Sequence, residues 1–274
     1  MKKNINMNEM LNIVVVPLYQ STPNEWEKKS FEQCCKVLGR HPICIATHSN
    51  VTIKEYQAIA SKYNIKLRKV EFNSEYFANI FGYNRLMLDK SFYQRFRDYQ
   101  YMLVYQLDAW VFCDELEEWC KKGYDYIGAP WVEKNEEGNI ELAGVGNGGF
   151  SLRRVQHFID VLSYKGPVKD GKKLHLEATL KNRLYRFFYS LGYQNTIAYY
   201  KKDETLYEDI FLSIFLNDTK LRANIPDAET AAHFAFEKSP SFLYSITKQL
   251  PFGCHAWLKY EYDTFWKYHI LTSL

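Results

Sequence analysis

Tyr101-Met-Leu-Val-Tyr-Gln-Leu-Asp-Ala-Trp-Val-Phe-Cys-Asp-Glu115 is an apolar, strand-like run broken by a single acid, Asp108, and followed by an acidic segment that begins like a helix. A carboxylate at the carboxyl end of a buried strand sits where open α/β sheets bind their ligands. The run therefore predicts a central strand and, at its end, the centre of an active site. Asp is also a common turn and N-cap residue, so Asp108 could do no more than cap a turn. The flanking stretches weigh on that choice.

Upstream, Leu11-Asn-Ile-Val-Val-Val-Pro17 has the continuous β-branched character of a parallel strand covered on both faces, and Pro17 ends it. A helix is predicted from Ser21-Thr-Pro-Asn-Glu to about Leu38, with Pro23 near its first turn and Gly39 as its stop. His41–Thr47 reads as a second strand, Thr52–Tyr63 as a second helix, and Ile65–Phe72 as a third strand. This βαβαβ order opens a doubly wound α/β sheet. No G-x-G-x-x-G follows the first strand, so a dinucleotide fingerprint is absent. If a nucleotide binds there, Tyr19 could stack on its base and Pro17 shape the backbone; equally, Tyr19 could simply cover a sheet end. Phe81–Phe96 looks helical in two pieces, and its Arg85 could grip a phosphate bidentately or pair with Asp89 four residues on.

Downstream, Glu115–Lys122 reads as a helix, Tyr124-Asp-Tyr-Ile-Gly-Ala-Pro-Trp131 as a short strand, and polar Val132–Leu142 as an exposed loop or hairpin. Gly144-Val-Gly-Asn-Gly-Gly-Phe-Ser-Leu-Arg-Arg154 is the densest glycine cluster. Glycines let a ligand approach the backbone closely, which favours a substrate-facing turn over a plain bulge. A helix should follow from Arg154 to Leu162. Between Tyr164 and Lys202 nine Lys or Arg stand against two acids, interleaved with Tyr and Phe. Such a stretch can lie on an anionic membrane surface, hold an anionic acceptor, or simply be a solvated helix face. Glu204–Phe215 forms an apolar-faced helix bearing Glu208 and Asp209 near its start. The helix dipole stabilises carboxylates there, and it would keep one ionised as a general base. Finally, Leu250-Pro-Phe-Gly-Cys-His-Ala-Trp257 sets His255 in a tight turn framed by aromatics, where a histidine is either structural or functional.

Composition narrows the classes. With 274 residues and 47% hydrophobic content the chain can bury one large core. Its 35 basic and 32 acidic residues give +3, too balanced to imply nucleic-acid binding. The six cysteines include no C-x-x-C pair, so neither a zinc site nor a disulfide framework is indicated, and a reducing cytoplasm is the simplest setting. Met1–Asn8 lacks the apolar core of a signal peptide, and no run approaches a membrane span. A soluble or peripherally attached protein is expected.

With these segments collected, the chain resembles the GT-A-fold glycosyltransferases. It is most similar to a bacterial glycosyltransferase-like family marked by Tyr-Gln-Leu-Asp-Ala-Trp, Asp-Tyr-Ile-Gly-Ala-Pro-Trp, Gly-Asn-Gly-Gly-Phe-Ser-Leu-Arg and Pro-Phe-Gly-x-His-x-Trp. The resemblance implies one domain over 1–274, a GT-A-like Rossmann-type αβα sandwich on a central mixed, mostly parallel sheet, with a basic aromatic insertion or subdomain at about 164–202. It lays a metal-binding Asp-x-Asp motif over Gln106-Leu-Asp108, so Gln106 stands where the first acid belongs. A divalent Mn or Mg ion would then be held by Asp108, the nucleotide diphosphate and His255. The resemblance makes Arg85, Gln106, Asp108, Asn147, Gly148 and Gly149 donor-binding residues, to which the turn after the first strand adds Pro17 and Tyr19 as candidates, and makes Asp209 the general base supported by Glu208.

The activity implied is transfer of a sugar from a nucleotide-diphosphate donor, a UDP-sugar, to an acceptor hydroxyl of a bacterial surface glycan or glycolipid. Inversion at the anomeric carbon is expected. The implied setting is the cytoplasm, peripherally at the inner face of the membrane through residues 164–202, without nucleic acid as a partner. The incomplete acidic motif motivates an alternative, an inactive nucleotide-sugar or carbohydrate binding protein on the same fold. A nucleotidyltransferase would carry a Gly-rich basic loop after the first strand, which Leu18–Thr22 is not.

Overall fold

The computed structural model describes residues 10–270, apart from 175, 178, 204 and 205 and the side chain of 218. The expectations for Met1–Asn8 and for the first two residues of the Glu204 helix lie outside the described residues. The chain opens as β1 (Met10–Pro17), α1 (Glu25–Leu38), β2 (Ile43–Thr47), α2 (Lys54–Ser61), β3 (Arg68–Glu71), α3 (Ile80–Met87), α4 (Lys90–Gln94) and β4 (Tyr99–Tyr105). It continues through β5 (Trp110–Val111), α5 (Leu116–Lys121), β6 (Tyr126–Ile127), β7 (Pro130–Lys134), β8 (Ile140–Val145), β9 (Phe150–Arg154) and α6 (Val155–Ser163). The rest is α7 (Leu180–Ser190), α8 (Ile197–Tyr200), α9 (Glu208–Ser213), α10 (Ala228–Phe234), β10 (Ala235–Phe236), α11 (Pro240–Thr247), β11 (Gly253–Cys254) and α12 (Lys267–Ile270).

Six strands form the main sheet in the order β3-β2-β1-β4-β9-β6. The first three pairings along it are parallel and the last two, β4 with β9 and β9 with β6, antiparallel. The architecture is thus the expected αβα sandwich on a mixed, mostly parallel sheet. Alternate residues of the buried strands feed the two faces: Val14, Val16, Leu103 and Tyr105 pack on one side, Ile13, Val15, Met102 and Val104 on the other. Strands covered on both sides require this unbroken apolar character.

Element ends differ from the sequence reading where a side chain caps more strongly than a pattern. Helix α1 begins at Glu25, not within Ser21–Pro23, because the Asn24 side chain accepts from the Trp26 and Glu27 amides while Glu27 returns a bond to the Asn24 amide. This reciprocal capping box fixes the start and leaves Pro23 outside the helix. Helix α9 begins at Glu208 and spans only six residues. The polar 132–142 segment is a hairpin, β7 paired with β8.

The main sheet changes direction of winding at β1, whose neighbours are β2 on one side and β4 on the other. In an open α/β sheet the crevice at such a switch point, outside the carboxyl ends of the strands, is where ligands bind. Pro17 and Leu18 leave one wall of that crevice; Gln106 to Asp108 leave the other.

Candidate functional site

A second, small sheet assembles the site. Its order is β10-β11-β5, with Cys254 opposite Trp110 and Phe236 beside Cys254. Strands β10 and β11 each end one residue before a polar group, Glu237 and His255, and β5 begins two residues after Asp108. The register therefore carries Glu237, His255 and the Asp108–Ala109 turn to the same place. Trp110 and Trp257 lock the arrangement from beneath, with ring centroids 5.7 Å apart at 70°. Edge-to-face aromatic pairs of this kind add to their burial about 0.5–1.5 kcal/mol.

The resulting contacts are direct. His255 Nε2 lies 3.1 Å from Asp108 Oδ1 and 3.1 Å from Gln106 Oε1, and His255 Nδ1 lies 3.1 Å from Glu237 Oε2. Burial alone would make the imidazole less basic, but Asp108 and Glu237 outweigh it and push its pKa up to about 10. For Asp108, partial burial works toward protonation, yet the His255 charge and hydrogen bond hold its carboxyl below the usual range. An opposite charge at hydrogen-bond distance accounts for both directions.

The glycine-rich turn approaches from β9. Tyr105 pairs with Phe150, so Gln106 follows alongside Gly149, and the Gln106 amide donates to the Gly149 carbonyl at 2.9 Å. A Cβ on Gly149 would fall 2.0 Å from His255 Nε2, and one on Gly148 would fall 1.8 Å from Glu208 Oε1. Neither position accepts a side chain without rebuilding the site. Asn147 adopts the left-handed conformation at φ 61°, and its carbonyl and that of Gly146 press on Gly128. This contact explains the glycine in Tyr-Ile-Gly-Ala-Pro. The Trp131 indole covers the Gly146 backbone, where a Cβ would come within 2.0 Å of it.

Two concavities flank Gln106. One, of about 520 Å3, is lined by Gln106, Asn147–Gly149, Trp131, Asp209, Tyr83 and His255 among others. The other, of about 400 Å3, is lined by Pro17, Tyr19, Trp26, Tyr56, Gln106 and Asp108 among others. The structure so brings together, around one shared residue, ten of the eleven positions singled out from the sequence: Pro17, Tyr19, Gln106, Asp108, Asn147, Gly148, Gly149, Glu208, Asp209 and His255. Arg85 is the exception. It lines a separate cleft of about 580 Å3 with Lys201 and Lys202, which among the described residues shares Asn84 with the concavity over the glycine turn.

Glu208 and Asp209 have different surroundings. Glu208 is 5% exposed and its Oε1 accepts from Arg153 Nη2 at 2.8 Å, a guanidinium with no exposed surface that also donates to Tyr93 and Ser151. Burial raises the Glu208 pKa against the pull of Arg153. Asp209 is half-buried, lines the larger concavity, and accepts from the Ile210 amide at 2.8 Å. Both carboxylates line the larger concavity, Asp209 as the more exposed of the two and Glu208 with one oxygen held by Arg153 beside the turn at Gly148.

Sequence reading missed Arg153, Glu237 and Trp131. Arg153 carried a signal, since an Arg inside a buried strand demands a buried partner. Glu237 follows the apolar stretch Phe234-Ala-Phe236, the same strand-end position that drew attention to Asp108.

For a divalent ion, Asp108, His255 and the Gln106 amide oxygen converge, and Glu237 orients the imidazole from behind as metal-ligating histidines require. Among the described residues no group of three or more His, Cys, Asp or Glu is placed to hold a metal ion. These three groups could hold an ion only together with ligands from outside the chain, such as a bound diphosphate.

The fold and site define an αβα protein with a ligand crevice at a sheet switch point. The chain belongs to a family described as "Protein of unknown function (DUF5672)", whose model matches residues 66–255. No curated protein matches it. Three solved structures are similar. LgtC, as an active-site mutant, is 13% identical with TM-score 0.44, covering 89% of this chain and 86% of that one. WbbM, a bifunctional glycosyltransferase in its apo form, is 9% identical with TM-score 0.41, covering 92% and 46%. TarS of S. aureus, residues 1 to 349, is 10% identical with TM-score 0.37, covering 68% and 57%. The chain thus spans about half the length of two of these proteins.

Proposed function

We propose that the protein is a GT-A-type glycosyltransferase that moves a sugar from a nucleoside-diphosphate donor, a UDP-sugar, to a hydroxyl of a bacterial surface glycan or glycolipid. The observation that carries this reading is the pair of concavities meeting at Gln106, one at the β1/β4 switch point and one over the glycine turn. A nucleotide sugar has two halves of different chemistry. The cleft beside Tyr19 and Trp26 suits a base and ribose, with a diphosphate reaching Asp108 and His255. The larger concavity suits the sugar, whose hydroxyls find the Asn147–Gly149 backbone and whose face finds Trp131.

Asp209 takes the proton from the acceptor hydroxyl as that oxygen attacks the anomeric carbon, and inversion follows from attack opposite the leaving diphosphate. His255, protonated and held by Glu237, sits where negative charge develops on the leaving group. A divalent ion held by Asp108 and the neutral form of His255 would replace that proton and would itself supply the charge neutralisation of the diphosphate. A panel of nucleotide sugars with candidate acceptors, read by mass analysis of products, tests the reading. A sugar-sized mass gain on an acceptor supports it; no transfer with any donor that binds sinks it.

A second reading, binding without turnover, is favoured by one observation: Gln106 occupies the first acidic position and its amide oxygen is engaged by His255. Calorimetric binding of a nucleotide sugar with neither transfer nor donor hydrolysis would support this reading over the enzyme.

A further inference from the structure

Helix α7 is built inside out. Leu180, Leu184, Phe187, Phe188 and Leu191 recur at the spacing of one helical face, and all five are between 51% and 73% exposed. The opposite face is the one tied down. Tyr189 is buried with its hydroxyl 2.6 Å from that of Tyr200, Tyr185 donates to Gln194 at 3.2 Å, and Arg186 donates to the Leu174 carbonyl at 3.1 Å. Rotation of the helix to hide its apolar stripe would break all three.

Cations edge this stripe. At 100° per residue Lys181 and Arg183 fall on its two flanks, and both are exposed. Beside the last turn, Ser190 opens onto a cleft of about 630 Å3 lined by Lys169, Lys173, Lys220 and Arg222. Among the described residues Asp170 is the one acid lining it, and it accepts from the Lys172 amide. An apolar stripe with basic margins is the pattern of a helix lying in a bilayer interface. At 11 residues α7 is about 16 Å long, short of the ~30 Å hydrocarbon core. No helix among the described residues is long and apolar enough to cross a membrane.

We infer that α7 docks the protein on an anionic phospholipid bilayer, its Leu/Phe stripe entering the acyl boundary and the Lys169–Arg222 cleft receiving lipid phosphates. Charge decides this occupant. Lys181 and Arg183 flank the stripe and Lys169, Lys173, Lys220 and Arg222 line the adjoining cleft, so a second copy of the same face would set like charges together. An anionic surface attracts every one of them. The inference is independent of the sugar site and its test uses no nucleotide sugar.

The full chain is sedimented with vesicles of phosphatidylglycerol and phosphatidylethanolamine, and separately with phosphatidylcholine vesicles. Binding to the first that exceeds binding to the second and weakens with added salt is expected. Leu184→Glu with Phe187→Glu should reduce the apparent affinity at least about tenfold, since burying each side chain contributes more than the 1.4 kcal/mol that tenfold requires. The thermal midpoint should be unchanged, because both side chains are exposed. If that pair disturbs folding, Leu180→Ser with Leu191→Ser replaces it. Equal binding to both vesicle types, no binding to either, or undiminished binding by a folded variant overturns the inference. A dimer in light scattering that the variant dissolves also overturns it, assigning the face to a second copy.

Discussion

Arg153 and Glu208 meet at 2.8 Å, one fully enclosed and the other 5% exposed, and together they close the floor beneath the Gly148 turn. Removing one member of such a pair strands a buried charge, whereas replacing both with apolar groups can be nearly neutral. Arg153→Met should therefore destabilise the fold by about 3–5 kcal/mol. Adding Glu208→Leu should recover much of that loss. Urea unfolding of the two single variants and the double variant completes the cycle. A single-variant loss below about 1 kcal/mol, the range of a surface pair, would remove the ion pair from any structural role.

Gly149 is the tightest test of the site's geometry. His255 is held at both ring nitrogens, so it cannot retreat from a Cβ that would fall 2.0 Å from Nε2. Gly149→Ala should displace the imidazole, break its contact with Gln106 and lower nucleotide affinity at least about tenfold, the cost of one lost charged contact. The ring resonances of His255 report the displacement without any assay of activity. Unchanged resonances would mean that the turn yields and the glycine is dispensable.

His157 gives a pH signature outside the site. Burial lowers its pKa, and the attraction of Asp125, 3.6 Å away, and of Asp160 does not overcome that and the repulsion of Arg154. With the folded value below the ordinary one of about 6.5, the unfolded chain binds more protons in the interval between them. The stability contributed by the neutral imidazole is full above about pH 6.5 and is lost as pH falls through that interval. Urea midpoints measured from neutral to mildly acid pH should fall more steeply for the wild type than for His157→Gln. Parallel curves would show that His157 is not responsible.

Much of this was legible in the sequence, for identifiable reasons. Val14–Val16 and Met102–Val104 are apolar on both faces, which only a covered parallel strand tolerates, so the sheet could be read locally. Asp108, the glycine turn and His255 were also legible, because each breaks an apolar pattern at a strand end. Their partners were not. Glu237 reaches His255 through the β10–β11 register, and Arg153 reaches Glu208 across 55 residues of sequence, relationships that exist only after folding. Arg85 shows the converse. Its place before the central strand suggested a shared site, yet α3 turns it toward Lys201 and Lys202.

Metal dependence should be conditional on the nucleotide. The protein offers one carboxylate, one imidazole and one amide oxygen, too few for a tight site alone. Titration calorimetry with Mn2+ should show weak binding to the free protein and at least about tenfold tighter binding when a nucleoside diphosphate is present, as expected of sites completed by substrate phosphates. Asp108→Ala should abolish that enhancement. Equal affinity with and without the nucleotide, or full enhancement in the variant, would remove Asp108 from ion binding.

Asp209 bears on the proposed chemistry most directly. Both acids line the concavity over the glycine turn, but Asp209 is half-buried and bonded to a backbone amide whereas Glu208 is 5% exposed and paired with Arg153, so the two should respond oppositely to conservative substitution. Asp209→Asn keeps the shape and the bond from the Ile210 amide but cannot accept a proton. It should cost a factor on the order of 100 or more in turnover, as general bases contribute, with donor affinity and thermal midpoint preserved. Glu208→Gln should instead lower the thermal midpoint, because it leaves the Arg153 charge uncompensated. If Asp209→Asn turns over normally while Glu208→Gln loses turnover at unchanged stability, the general-base assignment is wrong, and with it the argument that burial by Arg153 disqualifies Glu208.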